Sequence, residues 1–304
     1  MAGDPAWARP GGPSVVAIGG GHGLSATLRA LRGYAGEITA VVTVADDGGS
    51  TGRLRAAMPD LPAPGDVRRC LGALASDEEP FATLLEHRYA EGALAGHALG
   101  NLVLVALAAE LGSFEEAVQE LATRVGAVGR VLPATDVAVA LEAVVAEVGE
   151  PVVGQVAVQN TSGVRQVRLR PPDPSSSPSV GEAIVAADQV VLGPGSLFTS
   201  VLAAAVVPAV REALAKTSAQ RVLVANLGPQ IPETAGFDVG DEVRALRAHG
   251  IEVDVVLADI DRCEPTVDVG CALRCAALAS DGSASHDPAR LAAALAELAA
   301  IGRI

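Results

Sequence analysis

The chain has 304 residues, half of them apolar and only 2% aromatic, with a net charge of −14 and a pI near 4.7. That length suffices to bury a sizeable core, and with so few rings the core must be built from Val, Leu, Ala and Ile. The acidity excludes a general nucleic-acid role, which needs a basic surface. It leaves room for an anionic ligand held locally by glycine-loop amides, helix N-termini and a few arginines.

No charged region followed by an apolar stretch opens the chain, and no purely apolar window is long enough to span a bilayer. A cytoplasmic location without a membrane span is therefore expected. Cys70, Cys263, Cys271 and Cys275 form no CxxC pair and have no nearby His. They are expected to be small, buried, reduced thiols rather than a metal site.

Residues 1–13, rich in Pro and Gly, are expected to be a flexible tail, with a single α/β domain over 14–304. "SVVAIGGGHG" reads as a buried strand running into a glycine turn. "GLSATLRALRGY" has helical apolar spacing, and "EITAVVTVA" is a second apolar run. This is a β-α-β unit, which implies parallel strands. Residues 50–126 read as mostly helical. Asp66 is placed as an N-cap, Ser113 to Glu116 fits a capping box, and "LGNLVLVALAAELG" reads as a buried helix. Over 136–170, Val137, Val139, Leu141 and then Val152, Gln155, Ala157 alternate, which predicts a β-hairpin or small meander. Strands follow in "ADQVVLGPGS", "RVLVANLGPQ" and "GIEVDVVLAD", with helices at 207–216, 238–248 and 287–301. The pattern predicts a doubly wound, mostly parallel sheet, with ligands at the carboxyl ends of its strands.

Four strand exits carry candidate chemistry. In "AIGGGHG", Gly19, Gly20, Gly21, His22 and Gly23 can bring backbone amides close to a phosphate, although neither the dinucleotide fingerprint nor the P-loop pattern fits. In "TVADDGGSTGRLR", Asp46 and Asp47 could take ribose hydroxyls or Mg²⁺. Gly48, Gly49 and Ser50 follow them, and Arg53 and Arg55 could pair with phosphate. In "LGPGSLFTS", Gly193, Pro194, Gly195 and Ser196 offer a second anion cradle. "ANLGPQIPET" adds Asn226 on a third glycine-containing exit beside "AIGGGHG" and "LGPGSLFTS", and these three should converge on one cleft. "PGDVRR" supplies Asp66, Arg68 and Arg69 at a helix start. "GHALGN" places His97 and Asn101 at the mouth of an apolar helix, where they must bond either backbone or ligand. His286-Asp287 reads as a solvated His before an N-cap Asp.

Taken in order, "VVAIGGGHGLS", "TVADDGGSTGRLR", "PGDVR", "GHALGN", "RVLP", "GPGSLFTS" and "ETAGF" resemble the YvcK-like gluconeogenesis factors. These lie within the 2-phospho-L-lactate transferase (CofD-like) superfamily. The resemblance implies a Rossmann-like fold that binds a nucleotide or a UDP-N-acetylglucosamine-type nucleotide sugar. It also implies a regulatory role linking carbon metabolism to cell-wall synthesis and cell shape. The other branch implies a Mg²⁺-dependent phospholactate-type transferase using a GDP-activated donor. His22 stands where the family usually has Thr, Phe237 where it has Tyr, and Ser285 where it has Arg.

The reading adopted from these residues is a nucleotide-sugar-binding regulator rather than an enzyme. Gly19–Gly23 and Gly193–Ser196 would cradle a diphosphate, and Asp46 and Asp47 would take ribose or metal. Arg53 and Arg68 would neutralise charge. Asn101 and Asn226 would orient the base or sugar, with Asp66, His97 and Phe237 around the ligand. A protein partner and a homo-oligomer are expected as well.

Overall fold

The computed structural model describes residues 11–76, 79–145, 150–263, 269–280 and 282–302. The first ten residues of the expected tail lie outside this set. Beyond them, Pro13 is tied down, its carbonyl accepting from the Gly36 amide at 2.9 Å.

Seven parallel strands form the main sheet. In chain order they are β1 (Ser14–Gly19), β2 (Glu37–Val42), β3 (Arg130–Pro133), β7 (Gln189–Leu192), β8 (Gln220–Val224), β9 (Val255–Asp259) and β10 (Ala272–Ala276). Their spatial order is β3-β2-β1-β7-β8-β9-β10, and every pairing among them is parallel. Covered on both faces, the central strands read as unbroken apolar runs rather than alternating ones. Val15 to Ile18, Val190 to Leu192 and Val255 to Ala258 are all essentially inaccessible. The aliphatic core expected from the composition is present, and among the described residues Phe198 is the one ring fully inside it.

The helices are α1 (Gly21–Leu31), α2 (Gly49–Ala57), α3 (Pro64–Leu74), α4 (Pro80–Leu84), α5 (Leu99–Leu111), α6 (Phe114–Arg124), α7 (Gln155–Gln159), α8 (Pro178–Ala186), α9 (Leu197–Ala205), α10 (Pro208–Lys216), α11 (Val239–Ala248) and α12 (Pro288–Ile301). No single described helix is long and apolar enough to cross a membrane. Strand order reverses between β1 and β7, so the loops leaving these two strands open side by side. That is the switch point where doubly wound sheets hold ligands.

The small antiparallel insertion expected over 136–170 is present as a three-stranded sheet of β4 (Ala140–Val145), β5 (Val152–Val153) and β6 (Val164–Arg170), in the order β5-β4-β6. Other expectations change. Gln155 and Ala157, expected on a strand, instead belong to α7, because the Asp47 carboxylate caps the amides there. β3 and β10 were not foreseen: both are short edge strands without a long apolar run. Asp66 is not an N-cap, since α3 begins at Pro64 and Asp66 lies in its first turn, buried. Helix α5 buries only Gly100, Asn101, Leu104 and Val105 along its length, and Leu111 is exposed. Ser113 does cap α6, accepting the Glu116 amide at 3.2 Å. Among the cysteines, Cys70 is a buried thiol. Cys263 and Cys275, however, are joined in a disulfide, because the exit from β9 comes back alongside β10.

Candidate functional site

Two cavities lie at the switch point, on either side of the glycine loop that follows β1. The larger, about 450 Å³, is walled by Gly20–Gly23, by Asp46 and Gly48–Thr51, and by Asp66, Arg68 and Arg69 of α3. Arg88, Asn101, α7 residues, and the 195–200 and 230 positions complete it. The smaller, about 230 Å³, shares His22, Gly23, Gly195 and Gln230 with it and adds Pro194, Asn226 and the Ala284–His286 stretch. The three strand exits thus converge as expected.

The glycine loop is held from below. Gly21 takes a φ of +66° at the start of α1, a conformation that costs other residues more. Gly23 lies against the Pro194 carbonyl, where a Cβ would collide, so the first and second exits touch. Asp66, 3% exposed, accepts from the Gly21 amide and pairs with Arg69 at 2.8 Å. Burial and then the nearby Asp46 raise the Asp66 carboxyl above its ordinary range, with Arg69 opposing.

Arg68 is almost wholly buried, pairs with Glu86, and bonds the Leu85 carbonyl. Its Nε has no partner. Arg88 is anchored through the Gly96 carbonyl at 3.0 Å. Three arginines line one cleft in an acidic protein, where they would match an anion. His22 faces both cavities, and burial, then Arg69, hold its imidazole below the usual range.

Other expected ligands are spent on the protein itself. Asp47 lies outside the cleft wall. Its two oxygens accept the Gln155 and Val156 amides at 3.0 and 2.9 Å. Asp46 Oδ1 accepts the Gly48 amide at 2.9 Å, leaving Oδ2 near Gly65. The adjacent pair therefore does not fit a two-carboxylate Mg²⁺ site, and among the described residues no group of three His, Cys, Asp or Glu could hold a metal. Arg55 bonds the carbonyls of Asp46 and Val139, and Arg53 is exposed beside Gly96.

The second anion cradle is filled as well. Glu233 accepts the amides of Phe198 and Thr199 at 2.8 and 3.1 Å and bonds the Ser196 hydroxyl. Asn226 spends its amide on Gly195, accepting from its N–H at 3.1 Å and donating to its carbonyl at 2.8 Å. It aligns the second exit rather than facing the ligand freely. Phe237 packs edge-on against Phe198, ring centroids 6.1 Å apart, and lines neither cavity. Gly19 and Gly193 lie at strand ends behind the walls. His97 stands behind Ser50, its Nδ1 3.0 Å from Oγ, and Asn101 Nδ2 lies 3.1 Å from the same Oγ.

Sequence reading missed Arg88, Gln230 and the α7 wall. Arg88 carries no local motif, and neither does Gln230. His286 was misjudged. It is buried, bonds the Ala225 carbonyl, and has an unpartnered Nε2. Burial lowers its pKa. Asp287 does cap α12 as expected, accepting the Ala289 and Arg290 amides.

Fold and site together define a Rossmann-like α/β protein with an arginine-lined cleft at the switch point of its sheet. The chain belongs to the 2-phospho-L-lactate transferase CofD family, which it matches over residues 15–273. It is 45% identical to a protein of Mycobacterium tuberculosis (strain H37Rv) described as "Putative gluconeogenesis factor", over 92% of this chain and 89% of that one. A protein of Thermotoga maritima with the same description is 42% identical over 84% and 81%. A crystallised UPF0052-family protein of Bacillus halodurans is 34% identical and superposes with a TM-score of 0.86, covering 92% of this chain and 97% of that one.

Proposed function

We propose that the two cavities together bind one nucleotide sugar of the UDP-N-acetylglucosamine type, and that the chain acts in the cytoplasm as a regulator of carbon flux toward the cell wall. The carrying observation is the division of labour across the glycine loop. The larger cavity has Arg68, Arg69 and Arg88 with the N-termini of α1 and α2, which suits a diphosphate. The smaller has neutral polar groups, Gln230, Ser285 and His286, beside an Asn226 already bonded to Gly195. The buried, unpartnered Oε1 of Gln230 and Oδ1 of Asn101 call for hydroxyl or amide donors, which a sugar or base carries. The description borne by the relatives, "Putative gluconeogenesis factor", supports the link to carbon metabolism.

Calorimetric titration with UDP-N-acetylglucosamine and with GDP, each with and without Mg²⁺, tests this. Saturable, metal-indifferent binding of the UDP-sugar is expected, weakened at Arg69→Ala and at His286→Ala. Metal-dependent binding of GDP with no UDP-sugar signal would instead favour a transferase.

A further inference from the structure

Ser50 differs from its neighbours in the cleft. It is the second residue of α2, 4% exposed, yet it makes no capping bond, because α2 is entered from Gly48. Its Oγ is instead held from two sides by residues that lie 47 and 51 positions further along the chain. The Asn101 amide can only donate to it. In the tautomer protonated at Nε2, His97 Nδ1 accepts the hydroxyl proton. Burial, then the charge of Arg53, hold that imidazole below its usual range, so it is neutral near pH 7. Asn101, 1% exposed, also lines the cleft and keeps Oδ1 unpartnered. In that tautomer the Ser50 hydroxyl donates to a neutral imidazole, receives an amide N–H and sits in the first turn of a helix, which are the partners a serine nucleophile requires. Arg68 and Arg69 line the same cavity.

We propose that Ser50 is a nucleophile toward phosphorus, that His97 is its base, and that the substrate class is a diphosphate ester of a nucleoside. The ligand class rests on the nucleotide reading above; the nucleophile does not. Ser50 Oγ attacks the phosphorus distal to the nucleoside. The Oγ–P bond forms as the P–O bond of the anhydride breaks, and the Oγ proton passes to His97 Nδ1. Nucleoside monophosphate leaves as an anion, and the imidazolium returns its proton to solvent. Water then attacks the phosphoserine diester and gives a proton to His97, which passes it to the departing Ser50 Oγ. The net reaction consumes one water and cleaves one anhydride, with no oxidant or reductant.

The test uses the full chain and an alkyl fluorophosphonate, which joins phosphorus to an activated serine with loss of fluoride. Intact mass and peptide mapping should show one label per chain, at Ser50. Ser50→Ala should abolish it, and His97→Gln, which keeps a neutral polar side chain, should slow it by roughly a hundredfold, the scale of lost base catalysis. Thermal melts confirm that each variant is folded. Phosphorus NMR of UDP-N-acetylglucosamine incubated with the wild type should show slow release of UMP. No label on the folded wild type, or equal labelling of Ser50→Ala, overturns the proposal. Calorimetric binding of the UDP-sugar beside an unlabelled Ser50 overturns it while leaving the proposed function standing. Labelling that no nucleotide slows overturns the substrate class.

Discussion

Glu233 accepts the Phe198 amide at 2.8 Å, so the first turn of α9 is closed by the protein's own carboxylate. With the Thr199 amide and the Ser196 hydroxyl it occupies the place where an anion would otherwise sit. Any ligand diphosphate is therefore directed to the α1 and α2 side of the cleft, among the arginines. Replacing Glu233 by Ala leaves two buried amides without an acceptor and should lower stability by about 2 kcal/mol. Sulfate should then partly restore the melting temperature of the variant and leave the wild type almost unchanged. Equal sulfate shifts in both proteins would show that the cradle is open in the wild type.

Asp46 and Asp47 are adjacent in sequence but differently placed: Asp46 lines the cleft, and Asp47 caps α7. Asp47→Ala removes the acceptor for both α7 amides, and should cost about 1–2 kcal/mol of stability with little direct change in the arginine cleft. Asp46→Ala should leave stability nearly intact. It should weaken UDP-sugar binding roughly tenfold to a hundredfold, the scale of one charge-assisted hydrogen bond to a ligand hydroxyl. Denaturant melts and calorimetry on the two variants separate these effects, and a reversed pattern would refute the assignment.

Glu242 gives a pH dependence with a definite sign. It lies in the first turn of α11, 3% exposed, accepting the Asn226 amide. Burial pushes its carboxyl from 4.5 up to about 7, against the pull of Arg262. The folded state therefore holds this proton more tightly than the unfolded chain does. The resulting stability is fully present below pH 4.5 and is lost as pH rises through about 7. The loss is of order 3 kcal/mol, at ~1.4 kcal/mol for each pH unit that separates the folded and unfolded values. Glu242→Gln should flatten the difference between unfolding free energies measured at about pH 5 and about pH 8, on either side of the folded value. If that difference persists unchanged in the variant, Glu242 is not its source.

Much of this protein is local and therefore legible in its sequence. The central strands β1, β2, β7, β8 and β9 announce themselves as apolar runs because both faces of a parallel sheet are covered. Their glycine exits announce the cleft because a strand that turns straight into a helix needs residues without side-chain bulk. What each polar group at those exits does was decided only in three dimensions. Asp47 meets α7 from 108 residues away, and Glu233 meets α9 from 35. No local pattern distinguishes a carboxylate that will face a ligand from one that will cap a distant helix. The same holds for Arg88 and for the joining of Cys263 to Cys275. Composition and periodicity determined the layers and the edge of the sheet that carries the site. Which atoms at that edge remain unpaired, and so available to a ligand, depended on the tertiary contacts that consumed the rest.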